Sequence, residues 1–146
     1  MLDIDRLRIH VYDVTLTSGR PPMISEMAAA LETSEASVGE ALIELSSRRV
    51  LVLQPHGEIL MAPPFSAVPT QHSVKVGDRT FFANCCWDSL GIPAALHAEA
   101  EVFSRCEQTL EPIHLRVGRE GPVDPEPVVA HFAVPAARWW ADLVYT

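Results

Sequence analysis

The run Phe81-Phe-Ala-Asn-Cys-Cys-Trp-Asp-Ser-Leu-Gly-Ile-Pro93 holds the side chains of this sequence with the greatest chemical potential. If a helix starts at Cys85, its thiol faces backbone N–H groups that lack partners inside the helix. It also sits at the positive end of the helix dipole, and both effects favour thiolate over thiol. Asp88 follows three residues later, so the two side chains share one helix face. Two neighbouring anions repel, which raises one of the two pKa values and lets the carboxyl hold a proton near neutral pH. The result is a soft nucleophile or metal ligand beside a proton donor, and soft thiolates favour soft metals. Cys86 adds a further thiol beside the pair, as a candidate extra metal ligand or as plain core. A blander alternative stands next to this one. Cysteine is among the most buried residue types, a Cys-Cys pair in an apolar helix is often core, and Asp88 then serves only as a first-turn charge.

Other chemistries find less support. Histidines stand at 10, 56, 72, 97, 114 and 131, with no HxxxH or HExxH pair to suggest zinc. The seven glycines are dispersed and form no phosphate loop. No serine is marked as an activated nucleophile. Trp139-Trp140 could border a substrate pocket, although packing against a sheet is the commoner fate of such a pair.

The elements that must position the tetrad can be read on both sides of it. Leu2, Ile4, Leu7, Val11, Val14 and Leu16 fall on one helical face, which Ser18-Gly19 ends. A second helix runs from about Ile24 to Leu31. A third starts at Thr33 or Ser34 and carries Val38, Ala41, Leu42 and Leu45 before ending near Arg48-Arg49. The runs at 50–53 and 58–61 flank Gln54-Pro-His-Gly57 as a hairpin. Three helices and a hairpin spell a winged helix-turn-helix over residues 1–62. Proline-rich residues 61–70 should then be extended and irregular. From residue 70 the pattern turns to strands: 71–76 and 79–82 around Gly77-Asp78, then 101–104, 113–117 and 128–134. Asn84 is expected to cap the Cys85 helix, and Pro93 to bend it or end its first segment. Residues 118–127 read as a loop, and 137–146 as an apolar helix. The expected class is α+β: a winged-helix-like three-helix lobe, then a mixed β-sheet lobe with packed helices over 70–146.

Charge narrows the partners. The sequence has 146 residues, 48% hydrophobic and 21% charged, with a net charge of −8. That balance suits folded protein and repels nucleic acid and acidic membrane surfaces. The third helix would be the DNA-recognition helix, but Glu35, Glu40 and Glu44 lie on it, so nucleic-acid binding is not expected. No apolar run is long enough to cross a bilayer, and MLDIDRLRIHVYD lacks the basic start and apolar core of a signal peptide. A cytoplasmic location with no membrane contact is expected, and the three cysteines should then be reduced thiols.

The tetrad in its setting resembles the alkylmercury lyase (organomercurial lyase) family. The matching features are Phe81-Phe82, Cys85-Cys86-Trp87-Asp88, Leu90-Gly-Ile-Pro93, Val102-Phe-Ser-Arg-Cys106 and the strand 113–117. His131-Phe-Ala-Val-Pro135 and Trp139-Trp140 complete them. The family's N-terminal part is likewise a winged-helix lobe that is structural and not a DNA reader. The resemblance implies protonolysis of a carbon–mercury bond in a small organomercurial, releasing a hydrocarbon and Hg(II). Mercury enters as substrate and leaves as product ion, with no resident cofactor. Cys85 would bind mercury as thiolate, and Asp88 would shuttle the proton and help hold the product ion. Cys106 matches a family cysteine that looks structural. The family's second catalytic cysteine follows a segment like 139–146, and no cysteine follows here. Three expectations stand: the chain is truncated, for instance at a UGA codon read as a stop; Cys86 or an external thiol fills the slot; or the protein is a relative that keeps only the fold. Cellular thiols or a mercuric-ion acceptor would serve as partners, and the expected activity is impaired. The runner-up is a non-catalytic thiol-based soft-metal sensor or transcriptional regulator. A third reading is an enzyme of this fold acting on another carbon–metal or carbon–heteroatom bond.

Overall fold

A computed structural model describes residues 2–123 and 129–143. The chain opens with α1 (Ile4–Ser18), started by the Asp3 carboxylate, which accepts from the backbone N–H of Asp5 and Arg6. Gly19 ends it at φ 86, the left-handed conformation that glycine adopts without steric penalty. The buried face is Leu7, Val11 and Thr15. Thr15 is fully buried and donates its hydroxyl to the Val11 carbonyl at 2.7 Å, a polar residue that apolar spacing alone does not reveal.

α2 (Ile24–Ala30) and α3 (Glu35–Ser47) follow, with Ser34 capping α3 through a 3.1 Å bond from Ser37 N. Met27, Val38, Leu42 and Leu45 join Leu7 and Val11 in a first core, closed by Leu51 and Ile59. β1 (Val52–Leu53), β2 (Ile59–Ala62) and β3 (Phe65–Ser66) form a three-stranded antiparallel sheet. The proline-rich stretch is therefore not wholly irregular. It supplies β3, because Phe65 and Ser66 are buried and pair with β2.

The second sheet has order β5-β4-β6-β7-β8 and comprises β4 (Ser73–Val76), β5 (Arg79–Phe82), β6 (Ala100–Arg105), β7 (Pro112–Gly118) and β8 (Gly121–Pro122). Each neighbouring pair is antiparallel, where a mixed sheet was expected. The helix after β5 carries the chain past β4, so β6 docks on the far side of β4 and runs antiparallel to it. Phe65, Val74, Phe81, Ile92 and Val102 make the second core, and Tyr12 packs against both cores.

α4 (Cys86–Leu96) continues past Pro93. Proline removes one intrahelical bond, yet Ile92 and Pro93 are buried and hold the helix on the sheet. Residues 129–134 form no strand, contrary to the sequence expectation; Val129 is 84% exposed. The free side of β7 is already taken by β8. Residue 128 of that expected strand, residues 124–127 of the loop and 144–146 of the tail lie outside the described residues. The tail helix is a short 3₁₀ turn, Ala136–Ala141. The chain is an α+β protein, and among the described residues no helix is long and apolar enough to cross a membrane.

Candidate active site at the start of the fourth helix

The backbone leading into α4 is tied down before any site side chain is placed. Ala83 bridges Phe65, and its N–H donates to the His72 carbonyl at 2.8 Å. Thr70 Oγ1 donates to the Ala83 carbonyl at 2.6 Å. His72, nearly buried, shares a 2.7 Å hydrogen bond with Ser104 Oγ across the sheet.

Cys85 is the N-cap of α4, a role the sequence reading assigned to Asn84. Its backbone is extended (φ −149, ψ 178) and its Sγ accepts from the Asp88 N–H at 3.5 Å. The capping sulfur and the first-turn carboxyl are thereby brought together. Asn84 turns the other way and donates Nδ2–H to Asp88 Oδ2 at 3.0 Å. Its role as a partner of Asp88 was not read from sequence; the i to i+4 spacing of Asn84 and Asp88 was the available signal. Behind Asp88, buried Ser89 donates its hydroxyl to the Cys86 carbonyl at 2.6 Å.

The electrostatics differ from the expectation in two respects. Burial pushes the Cys85 thiol up, and this outweighs the backbone N–H groups of Asp88 and Trp87 that pull it down. The Cys86 thiol is also raised, again by burial first. Burial thus favours the neutral thiol at both positions, where the helix-start argument favoured thiolate; that argument omitted desolvation. The Asp88 carboxyl is raised as expected, but the leading cause is burial rather than repulsion by a thiolate. Hydrogen bonds from Asn84 and the Cys85 thiol pull it back down.

Aromatic side chains flank this helix start. The Trp87 ring meets Phe132 edge-on at 6.3 Å, and Phe132 meets Trp139 at 4.9 Å. Trp139 donates Nε1–H to the Val134 carbonyl at 3.0 Å, so it packs against its own segment. Arg49 lies 5.7 Å over the Trp140 ring. Cys106 is not joined to Cys85 and Asp88 by any of these bonds. It sits on the β6–β7 turn, where the Thr109 hydroxyl and nearby backbone N–H groups lower its pKa. Two cavities of about 420 and 450 Å³ open elsewhere, one beside Lys75, Glu101 and Arg116, the other beside Leu16, Arg79 and Leu96. Cys85 and Asp88 line neither. Among the described residues, no group of three or more His, Cys, Asp or Glu side chains is arranged to hold a metal ion.

A thiol and a half-buried acid at one helix start are the kinds of group that can pass a proton as sulfur takes an electrophile. The comparisons with known proteins narrow that class. A family profile described as alkylmercury lyase matches residues 65–146, more than half of the chain. Alkylmercury lyases of Bacillus cereus and Clostridium butyricum are each 29% identical over 115 residues, which cover 79% of this chain and 51% of theirs. The crystal structure of the mercury-bound form of MerB2 shares the fold, with a TM-score of 0.61 and 24% identity. That match covers 81% of this chain and 58% of the other. The chain belongs to the alkylmercury lyase family and spans about half the length of the two named relatives.

Proposed function

We propose that this chain carries a carbon–mercury lyase site, acting by protonolysis on small organomercurials, with Cys85 as the mercury-binding sulfur and Asp88 as the proton shuttle. The observation that carries the reading is that the Cys85 sulfur accepts from the Asp88 N–H while the Asn84 amide holds the half-buried Asp88 carboxyl, whose affinity for a proton burial has raised. When the Cys85 sulfur bonds to R–Hg–X, its proton passes to the Asp88 carboxylate and X⁻ leaves. The carboxylic acid then delivers that proton to the carbon as the C–Hg bond breaks. R–H departs, and Hg(II) stays between the Cys85 thiolate and the Asp88 carboxylate. Every proton is accounted for, since the one lost by sulfur is the one gained by carbon.

Cys86 is the nearest further thiol in sequence, and a cellular thiol or mercuric-ion acceptor would take up the product ion. Residues 70–146 are the catalytic lobe in this reading, and the winged-helix-like lobe at 1–62 is its structural support. DNA regulation has no comparable support: Arg48 is paired with Glu44, and Arg49 is engaged by Trp140.

The test is methane release from methylmercury with excess low-molecular-weight thiol. Turnover is expected from the wild-type protein, and none from Cys85→Ala. Full turnover by Cys85→Ala would contradict the assignment.

A further inference from the structure

Asn84 neither binds mercury nor carries a proton in the steps above, yet two observations meet there. Its Nδ2 donates to Asp88 Oδ2 at 3.0 Å, while its own Oδ1 is buried without a hydrogen-bond partner among the described residues. Buried amides ordinarily satisfy both ends. This side chain forgoes the bond at its oxygen while its nitrogen holds the carboxyl. The backbone explains how it is kept there: the Ala83 N–H bond to His72 and the Thr70 bond to the Ala83 carbonyl fix the chain just before residue 84. From the other side, Ser89 is bound to the Cys86 carbonyl. The Asn84 amide and the Asp88 carboxyl therefore meet from two fixed supports. With Oδ2 committed to the amide, the carboxyl cannot turn freely about its terminal torsion, and its remaining oxygen is the one left for proton transfer.

We propose that Asn84 is a positioning residue: it locks the Asp88 carboxyl in the orientation that serves the Cys85 sulfur and the substrate carbon, at the expense of its own unpaired oxygen. This rests on the lyase reading. It separates from a merely structural role because a residue with an unsatisfied buried oxygen is not there to stabilise the fold. Replacing it with a side chain of similar size and no polar atoms should leave thermal stability unchanged or raised, while proton delivery slows.

The experiment follows Asn84→Leu and, as a smaller replacement that cannot reach the carboxyl in the same way, Asn84→Ser. Thermal melting, methylmercury loading per protein and single-turnover methane release are measured with thiol in excess. Expected are wild-type loading, a melting temperature for Asn84→Leu no lower than wild type, and release slowed about tenfold to a hundredfold in both variants, the range for a misplaced catalytic group. Wild-type release rates in either folded variant overturn the proposal. So does a lowered melting temperature accompanied by unchanged rates. If the wild-type protein itself releases no methane, the lyase reading fails, and the infrared carboxyl band assigned by Asp88→Asn still judges the contact. A band that shifts in Asn84→Leu upholds the lock on Asp88, and an unmoved band overturns it.

Discussion

Glu26 and Asp88 occupy the same place in two helices, the third residue of the first turn, and their carboxyls are driven in opposite directions. Glu26 is held down at about 2, first by its hydrogen bonds to Arg20 and then by the Met23 N–H it accepts at 2.7 Å. Asp88 is pushed up by burial, against hydrogen bonds from a neutral amide and a thiol. The helix dipole favours the anion at both positions, so it does not decide the outcome. A cation and solvent surround Glu26; for Asp88 the partners are neutral and water is partly excluded. One carboxyl fastens a helix end, and the other is left ready to accept and release a proton.

The largest effect that would break this comparison is in the chemistry. Asp88→Asn should retain methylmercury loading on Cys85 but slow methane release by about 100-fold or more, the usual contribution of a positioned acid. Unchanged release would make Asp88 no more catalytic than Glu26. The same variant has a stability signature. Because the folded state holds the Asp88 proton more tightly than the unfolded chain does, wild-type stability falls as pH rises from the unfolded carboxylate value through the raised folded one. Asp88→Asn should therefore melt higher near neutral pH, and the two proteins should converge in acid. Melting curves across that range check the sign.

A smaller effect concerns the cap. Ser34 caps α3 through oxygen at 3.1 Å, whereas Cys85 caps α4 through sulfur at 3.5 Å. Cys85→Ser installs the better capping atom and should gain up to about 1 kcal/mol in chemical denaturation, while abolishing stable mercury retention. A loss of stability would mean that the sulfur is held by packing rather than chemistry. The smallest effect is expected for Arg20→Ala. The Arg20 and Glu26 side chains are 47% and 45% exposed, so solvent screens the pair and the loss at neutral pH should stay below about 1 kcal/mol. Its sign is opposite to that of Asp88. Stability from the lowered Glu26 pKa is present above the unfolded carboxylate value and disappears as pH falls toward about 2, so the gap between variant and wild type closes in acid.

Much of the scaffold was legible because local chemistry dictates it. Ser34 and Gly19 mark helix ends through capping and left-handed freedom. Gly77-Asp78 turns β4 into β5. At three places distant contacts shaped what the local signal left open or read otherwise. Pro93 stays within α4 because its ring is buried. Phe65 makes a strand of a proline-rich stretch because Ala62 lies opposite to pair with it. The apolar alternation at 129–134 makes no strand because β8 already covers β7.

By itself, the sequence determined that Cys85 and Asp88 meet at the start of a helix, since a spacing of three residues brings them together wherever a helix begins there. It also determined the family, through the ordered set of motifs around that turn. Only the tertiary structure decided the state of these groups. Whether a thiol ionises and whether a carboxyl keeps its proton depend on how much water the surrounding chain removes. It also depends on the Asn84 amide, whose place before the helix is fixed by the bonds that tie Ala83 to His72 and Thr70.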